Sequence, residues 1–147
     1  MDIADSLTYH ITKTGNILRR LAAKKIRDAG LDITPEESVL LNQLWDRDVQ
    51  SQAELGQWSV KEPSTLTRQI DGLVRKGYVK RRENDKDRRS IFICLTPEGR
   101  LLKARFARTG IRQLDQDLAR NLGADPETIL KQLLDIRQTA LQQLNDE

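Results

Sequence analysis

A mainly α fold with a small β-wing is predicted by three observations. Two short capped helices lie between Ser51 and Lys76, with a turn of a few residues between them. A basic β-hairpin follows, between Tyr78 and Leu95. Longer amphipathic segments flank both. In that order the pieces make a winged helix-turn-helix, which lays one helix in a DNA groove with a basic loop beside it. The expected organisation is a single domain over residues 1–147. The DNA-binding region covers 31–102, and dimerisation helices occupy 3–30 and 103–145.

Each element has a local reason. The first helix is predicted from about Ile3 to about Ala29. Ile3, Leu7, Ile11, Leu18, Leu21, Ala22 and Ile26 recur mostly three or four residues apart, and Gly30 supplies a stop. Gly15 inside it lets another helix approach closely. Thr34 caps the second helix, Pro35 fits its first position, and Glu37 completes a capping box. Leu40, Leu41, Leu44 and Trp45 are expected to face inward, and this helix ends before Asp48. Ser51-Gln52-Ala53-Glu54 is a second capping box and opens a short third helix through about Trp58. Ser59 to Glu62 is the turn. The fourth helix starts at Pro63 and runs to about Lys76, and Gly77 ends it.

Tyr78 to Glu83 and Ser90 to Leu95 are predicted strands. In the second, Ile91, Ile93 and Leu95 alternate with Phe92 and Cys94, and Asn84 to Arg88 form the turn. Thr96-Pro97 caps a long fifth helix to about Asn121. Gly123 breaks it, and Asp125-Pro126 opens a sixth helix to about Leu144. Ile129, Leu130, Leu133, Leu134, Ile136, Leu141 and Leu144 give that helix a broad apolar stripe. A winged helix needs little beyond its own core. The apolar surface of the first, fifth and sixth helices therefore calls for a partner, and a homodimer supplies one.

Charge is distributed unevenly. The formal net charge is +3, but residues 61–89 hold ten Lys or Arg and five Asp or Glu, a local net of +5 against −2 for the rest. A basic patch on a slightly acidic chain is the footprint of a phosphate-binding surface. The single cysteine, Cys94, makes no intrachain disulfide, and with one histidine, His10, the chain cannot furnish a structural zinc site. No cofactor is expected. The N-terminal sequence lacks an apolar signal core, and no stretch approaches a membrane span, so a soluble cytoplasmic protein is expected, with no membrane partner. There is no glycine-rich phosphate loop, and the lone histidine has no nucleophile near it in sequence. An enzyme is not expected.

On a helical wheel of residues 63–76, Leu66, Ile70, Leu73 and Val74 fall on the core side. Lys61, Ser64, Thr65, Arg68, Gly72 and Arg75 fall opposite. Small hydroxyl residues, with Thr67 among them, let a helix lie close to base edges. Arg68 suits a two-pronged bond to guanine, and Ser64 or Thr65 can bond bases or phosphates. In the hairpin, Lys80-Arg81-Arg82 precede the turn, and Lys86, Arg88 and Arg89 lie in or just after it. Asp87 stands two residues before Arg89, a spacing that lets its carboxylate hold the guanidinium. An arginine at a hairpin tip suits a narrow minor groove. Double-stranded DNA is the expected partner.

Residues 31–102 resemble the MarR family of bacterial transcription regulators. The resemblance rests on the Thr34-Pro35 helix start, Ala53-Glu54-Leu55, Pro63-Ser64-Thr65-Leu66-Thr67-Arg68, Leu73 to Val79, Asp87-Arg88-Arg89 and Leu95-Thr96-Pro97-Glu98-Gly99. It implies a homodimer with interlocked terminal helices on a palindromic operator, with Arg89 as the minor-groove arginine and Asp87 its partner. It also implies an effector, a small aromatic or phenolic compound, bound where the terminal helices meet the second helix. Tyr9, His10 and Trp45 are the candidates for that site. A redox-sensing branch of the family carries a reactive cysteine in its first helix. This chain has none there, which disfavours thiol-based sensing. A ligand-responsive repressor is the preferred reading.

Overall fold

Two capping boxes written into the sequence set the frame of the fold. Thr34 Oγ1 accepts from the Glu37 N–H at 3.0 Å, and Glu37 Oε1 accepts from the Thr34 N–H at 2.9 Å. Ser51 and Glu54 repeat the exchange one helix later. Each box satisfies donors that a helix start leaves unpaired. The structure is a computed structural model and describes residues 1–59, 63–87 and 89–146. A 3-10 turn, Ile3–Asp5, leads into α1 (Leu7–Asp28) and α2 (Pro35–Asp46). Then come β1 (Gln50–Ser51), α3 (Gln52–Gly56), α4 (Pro63–Arg75), β2 (Val79–Glu83) and β3 (Ile91–Leu95). The chain ends with α5 (Pro97–Ala107), α6 (Ile111–Asn121) and α7 (Pro126–Asn145).

The strands form an antiparallel sheet in the order β1-β3-β2. Val79 pairs with Leu95 and Glu83 with Ile91, while Gln50 pairs with Ile93 on the other edge. β1 is not foreseen from the sequence, because two residues carry no periodicity. The core is built from Ile26, Leu40, Leu41, Leu44, Leu55, Leu66, Ile70, Leu73, Ile93, Leu102 and Phe106, all buried. It therefore joins α1, α2, α3, α4, β3 and α5.

Three expectations need correction. The N-terminal helix does not start at Ile3; the backbone turns at Ser6, whose hydroxyl caps α1 by accepting from the Tyr9 N–H. The long fifth helix is two helices, α5 and α6, divided at Gly110. That glycine has φ +79°, a left-handed conformation that other residues adopt at a cost. Val74 is exposed and Gly72 is buried, the reverse of the wheel. The reason is α2: a Cβ on Gly72 would lie 2.7 Å from Glu37 Oε2, so α4 turns its glycine, not its valine, toward that neighbour. By its contacts the chain divides into two compact units, Met1–Thr109 and Gly110–Glu147.

Candidate nucleic-acid interface

The reading helix is held from beneath by charge as well as by apolar packing. Glu37 is 4 % exposed yet ionisable. Besides closing its capping box, it takes the Lys76 ammonium at 2.6 Å. A buried carboxylate needs such partners to remain tolerable. The pair ties the start of α2 to the end of α4, and Gly72 provides the space for it. α4 thus presents a fixed face. Leu66, Ile70 and Leu73 are buried, Ser64, Thr67 and Arg68 are exposed, and Thr65 is half-buried. The predicted reading residues therefore lie on one outer surface. Lys61 falls outside the described residues.

Gln52, at the first position of α3, donates from Nε2 to Thr67 Oγ1 at 3.0 Å. This amide joins the two helices of the motif across their outer surface. Sequence reasoning missed Gln52, because it sits inside a capping box and carries no charge. Together with Gln57, Pro63, Arg89 and Ile91, Gln52 and Thr67 line a concavity of about 680 Å³. Arg89 of the hairpin thus reaches the same surface as the hydroxyl of α4.

The hairpin tip is a set of side-chain-capped turns. Asn84 Oδ1 accepts from the Lys86 N–H at 3.0 Å, and Asp87 Oδ1 accepts from the Arg89 N–H at 3.0 Å. Ser90 Oγ donates to Asp87 Oδ2 at 3.4 Å. Asp87 therefore fixes the backbone of Arg89. It does not grip the guanidinium, as the two-residue spacing suggests, because an Asx-type turn captures the nearer amide first. Lys86 and Arg89 are exposed. Arg88 falls outside the described residues. Arg81, counted with the basic residues, is engaged instead with Asp71 of α4 at 2.5 Å and braces the hairpin against the reading helix. Arg82 lies over the Phe92 ring, 5.9 Å from its centre.

The base of the hairpin is equally constrained. Tyr78 OH donates to Asp32 Oδ1 at 2.7 Å. Partial burial, and then this bond, push its phenol up to about 12. Thr96 caps α5 by accepting from the Gly99 N–H, and its own hydroxyl donates to Gly77 O. A Cβ at Gly99 would come within 2.0 Å of Tyr78 O. The Thr96-Pro97-Glu98-Gly99 run is therefore the joint between α5 and the start of β2.

The three candidate effector residues are not gathered. Tyr9 and His10 stack edge to face near the start of α1 and are exposed, and His10 Nε2 lies 2.7 Å from Ala4 O. Trp45 is half-buried. Its indole donates to Gly99 O at 2.9 Å, and its ring contact is with Phe106. A cavity of about 490 Å³ lies between α1 and α2, with Ile11, Leu18, Pro35 and Val39 among its walls, and contains none of the three. Among the described residues no group of three or more His, Cys, Asp or Glu could hold a metal, and no helix is long and apolar enough to cross a membrane.

The MarR family pattern matches residues 33–91. The multiple antibiotic resistance protein MarR of Salmonella typhimurium is 36% identical over 69 residues, 47% of this chain and 48% of that protein. The chain thus spans about half the length of the Salmonella relatives it matches. The Escherichia coli MarR is 29% identical over 139 residues, covering 91% of this chain and 96% of its own. A mutant of the E. coli protein, solved in complex with operator DNA, superposes with a TM-score of 0.74 at 29% identity, covering 88% of this chain and 91% of that one.

Proposed function

We propose that the chain, whose residues 33–91 match the MarR family pattern, is a sequence-specific, DNA-binding transcription regulator of that family acting as a homodimeric repressor. In this reading α4 enters the major groove of a palindromic operator and the β2–β3 hairpin lies along the minor groove. One observation carries it. Exposed Thr67 of α4 lines one concavity with Arg89, whose backbone Asp87 pins at the tip of a basic hairpin, and Ser64 and Arg68 lie exposed on the same helix. Arg68 would read guanine, the hydroxyls bases or phosphates, and Arg89 a narrow minor groove. Lys86 and Arg88 belong to the same hairpin contact. The exposed apolar faces of α1 and α7 supply the dimer surface.

The test is selection of bound sequences from random duplexes, with sedimentation of the free protein. The expected result is a dimer and an inverted repeat with half-sites about 34 Å apart. Affinity should fall steeply with salt as counterions are released. A monomer that prefers no sequence would sink the reading. Effector control belongs to the same proposal. A small aromatic or phenolic compound would bind against α1 or α2, which carry the candidates Tyr9, His10 and Trp45, although none of the three lines the cavity between those helices. Such a compound releases DNA only if it favours the free form. Titrating aromatic carboxylates against the protein–operator complex tests this: release supports it, and potency unchanged in both His10→Ala and Trp45→Ala places the pocket elsewhere.

A further inference from the structure

A second concavity, of about 480 Å³, lies between the C-terminal half of α2 and the end of α3. It shares no residue with the reading surface and differs from it in sign. Trp58 forms one wall and is 67% exposed, an unusual position for the largest side chain. Asp46, the last residue of α2, lines it with no ion-pair partner among the described residues. The neighbouring cation, Arg47, is already neutralised by Glu54. Asn42 donates its amide N–H to Ser38 O at 2.8 Å, which leaves its carbonyl as an acceptor. The carbonyl of Gln43 is buried with no hydrogen-bond partner, and its amide makes only a long 3.4 Å bond to Val39 O. The groove thus combines an aromatic face, one unpaired negative charge and a surplus of acceptors.

We infer that this groove is a binding site for a planar organic cation carrying N–H donors, such as an aryl amidine. The cation would stack on the Trp58 ring, whose face is electron-rich. Its N–H groups would meet the Asp46 carboxylate in charge-assisted bonds. A small rotation of the Gln43 side chain would bring its orphaned carbonyl to a donor, which removes a standing desolvation penalty. An anion is disfavoured here, because the Arg47 charge is already paired with Glu54 while that of Asp46 is not. The inference does not depend on the DNA-binding reading, since no residue of that surface takes part.

The experiment is calorimetric titration of the intact protein with benzamidine, with benzamide as the neutral and benzoate as the anionic control. Benzamidine is expected to saturate at sub-millimolar to millimolar concentration, as suits a ligand of its size, and both controls to bind at least about tenfold more weakly. Trp58→Ala and Asp46→Asn should each weaken benzamidine about tenfold, while Trp58→Phe retains most of the affinity. Both positions are exposed, and thermal melts of the variants verify that they fold. No saturation by benzamidine, equal binding of benzoate, or an unchanged Kd in either Trp58→Ala or Asp46→Asn would overturn the inference.

Discussion

Residues 1–109 bury sixteen apolar side chains, whereas the described part of residues 110–147 buries none. The contrast is not one of composition. α7 carries Leu130, Leu133, Leu134, Ile136, Leu141 and Leu144, and all are exposed, from 37% for Ile136 to 75% for Leu144. A 20-residue amphipathic helix is marginal when its apolar face meets only water. The first unit closes a core by itself. The second closes no core within itself. On the proposed reading, a second copy covers its apolar face. The largest expected effect follows from breaking that contact. Leu133→Asp with Leu134→Asp should yield a monomer by sedimentation, with operator affinity reduced by about 10²–10⁴, because linked half-sites lose their effective concentration. The far-ultraviolet circular dichroism of the first unit should survive. If the double variant stays dimeric, α7 is not the interface.

Two glycines in the first unit meet opposite surroundings. Gly99 is in the closed unit's tightest joint, and a Cβ there meets Tyr78 O at 2.0 Å. That contact is with backbone and has no rotamer to relieve it. Gly99→Ala is expected to lower stability by about 3 kcal/mol, read as a drop in Tm. Gly15, on the exposed flank of α1, meets nothing within 4 Å. Gly15→Ala should stabilise the isolated chain by up to about 1 kcal/mol through helix propensity. If it instead weakens the dimer, a partner helix approaches there.

Smaller effects separate the two DNA contacts. Arg68→Ala should cost about 1–3 kcal/mol on the selected operator and relax preference at one base pair in each half-site. Arg89→Ala should reduce preference for narrow-groove A·T sequence. Asp87→Ala should act in the same direction but less, because Asp87 holds the Arg89 amide and not its guanidinium. Gel-shift titrations against wild-type and substituted operators distinguish these outcomes.

What the sequence made legible was local. Thr34, Ser51, Thr96 and Asp125 announce helix starts because a cap acts within three residues, and all four accept the expected backbone N–H. Helix period and hairpin register are equally short-range rules, but each fixes one element alone, and only the fold brings Thr67 and Arg89 to one concavity. The misses are tertiary. Gly72 faces inward because Glu37 of another helix arrives there. Arg81 reads as one more basic hairpin residue until Asp71 of α4 is seen to hold it. Gly110 divides the predicted fifth helix, and a single glycine inside a helical run is not by itself a stop, so the break shows only in the backbone. Gln52 needed the α3–α4 crossing before its bond to Thr67 could exist.

The first unit has a titrating lock at the base of the hairpin. Tyr78 donates to Asp32, which ties the start of β2 to the connection between α1 and α2. Its phenol is raised from the ordinary 10.0 to about 12, first by burial and then by that bond. The neutral form is thus favoured in the folded chain relative to the unfolded one. Its contribution to stability is fully present below pH 10 and is lost as pH rises toward 12, because the unfolded state then releases the proton more readily. Wild-type protein should lose stability across that window more steeply than Tyr78→Phe, which keeps the ring and removes the titrating group. Lysine deprotonation affects both proteins alike, so the difference between their pH profiles isolates Tyr78. At neutral pH the variant should be less stable by about 1 kcal/mol for the missing hydrogen bond. The two curves should converge as the phenol ionises. Urea melts between pH 8 and 11.5 measure both quantities, and parallel curves would mean that the bond to Asp32 is not formed in solution.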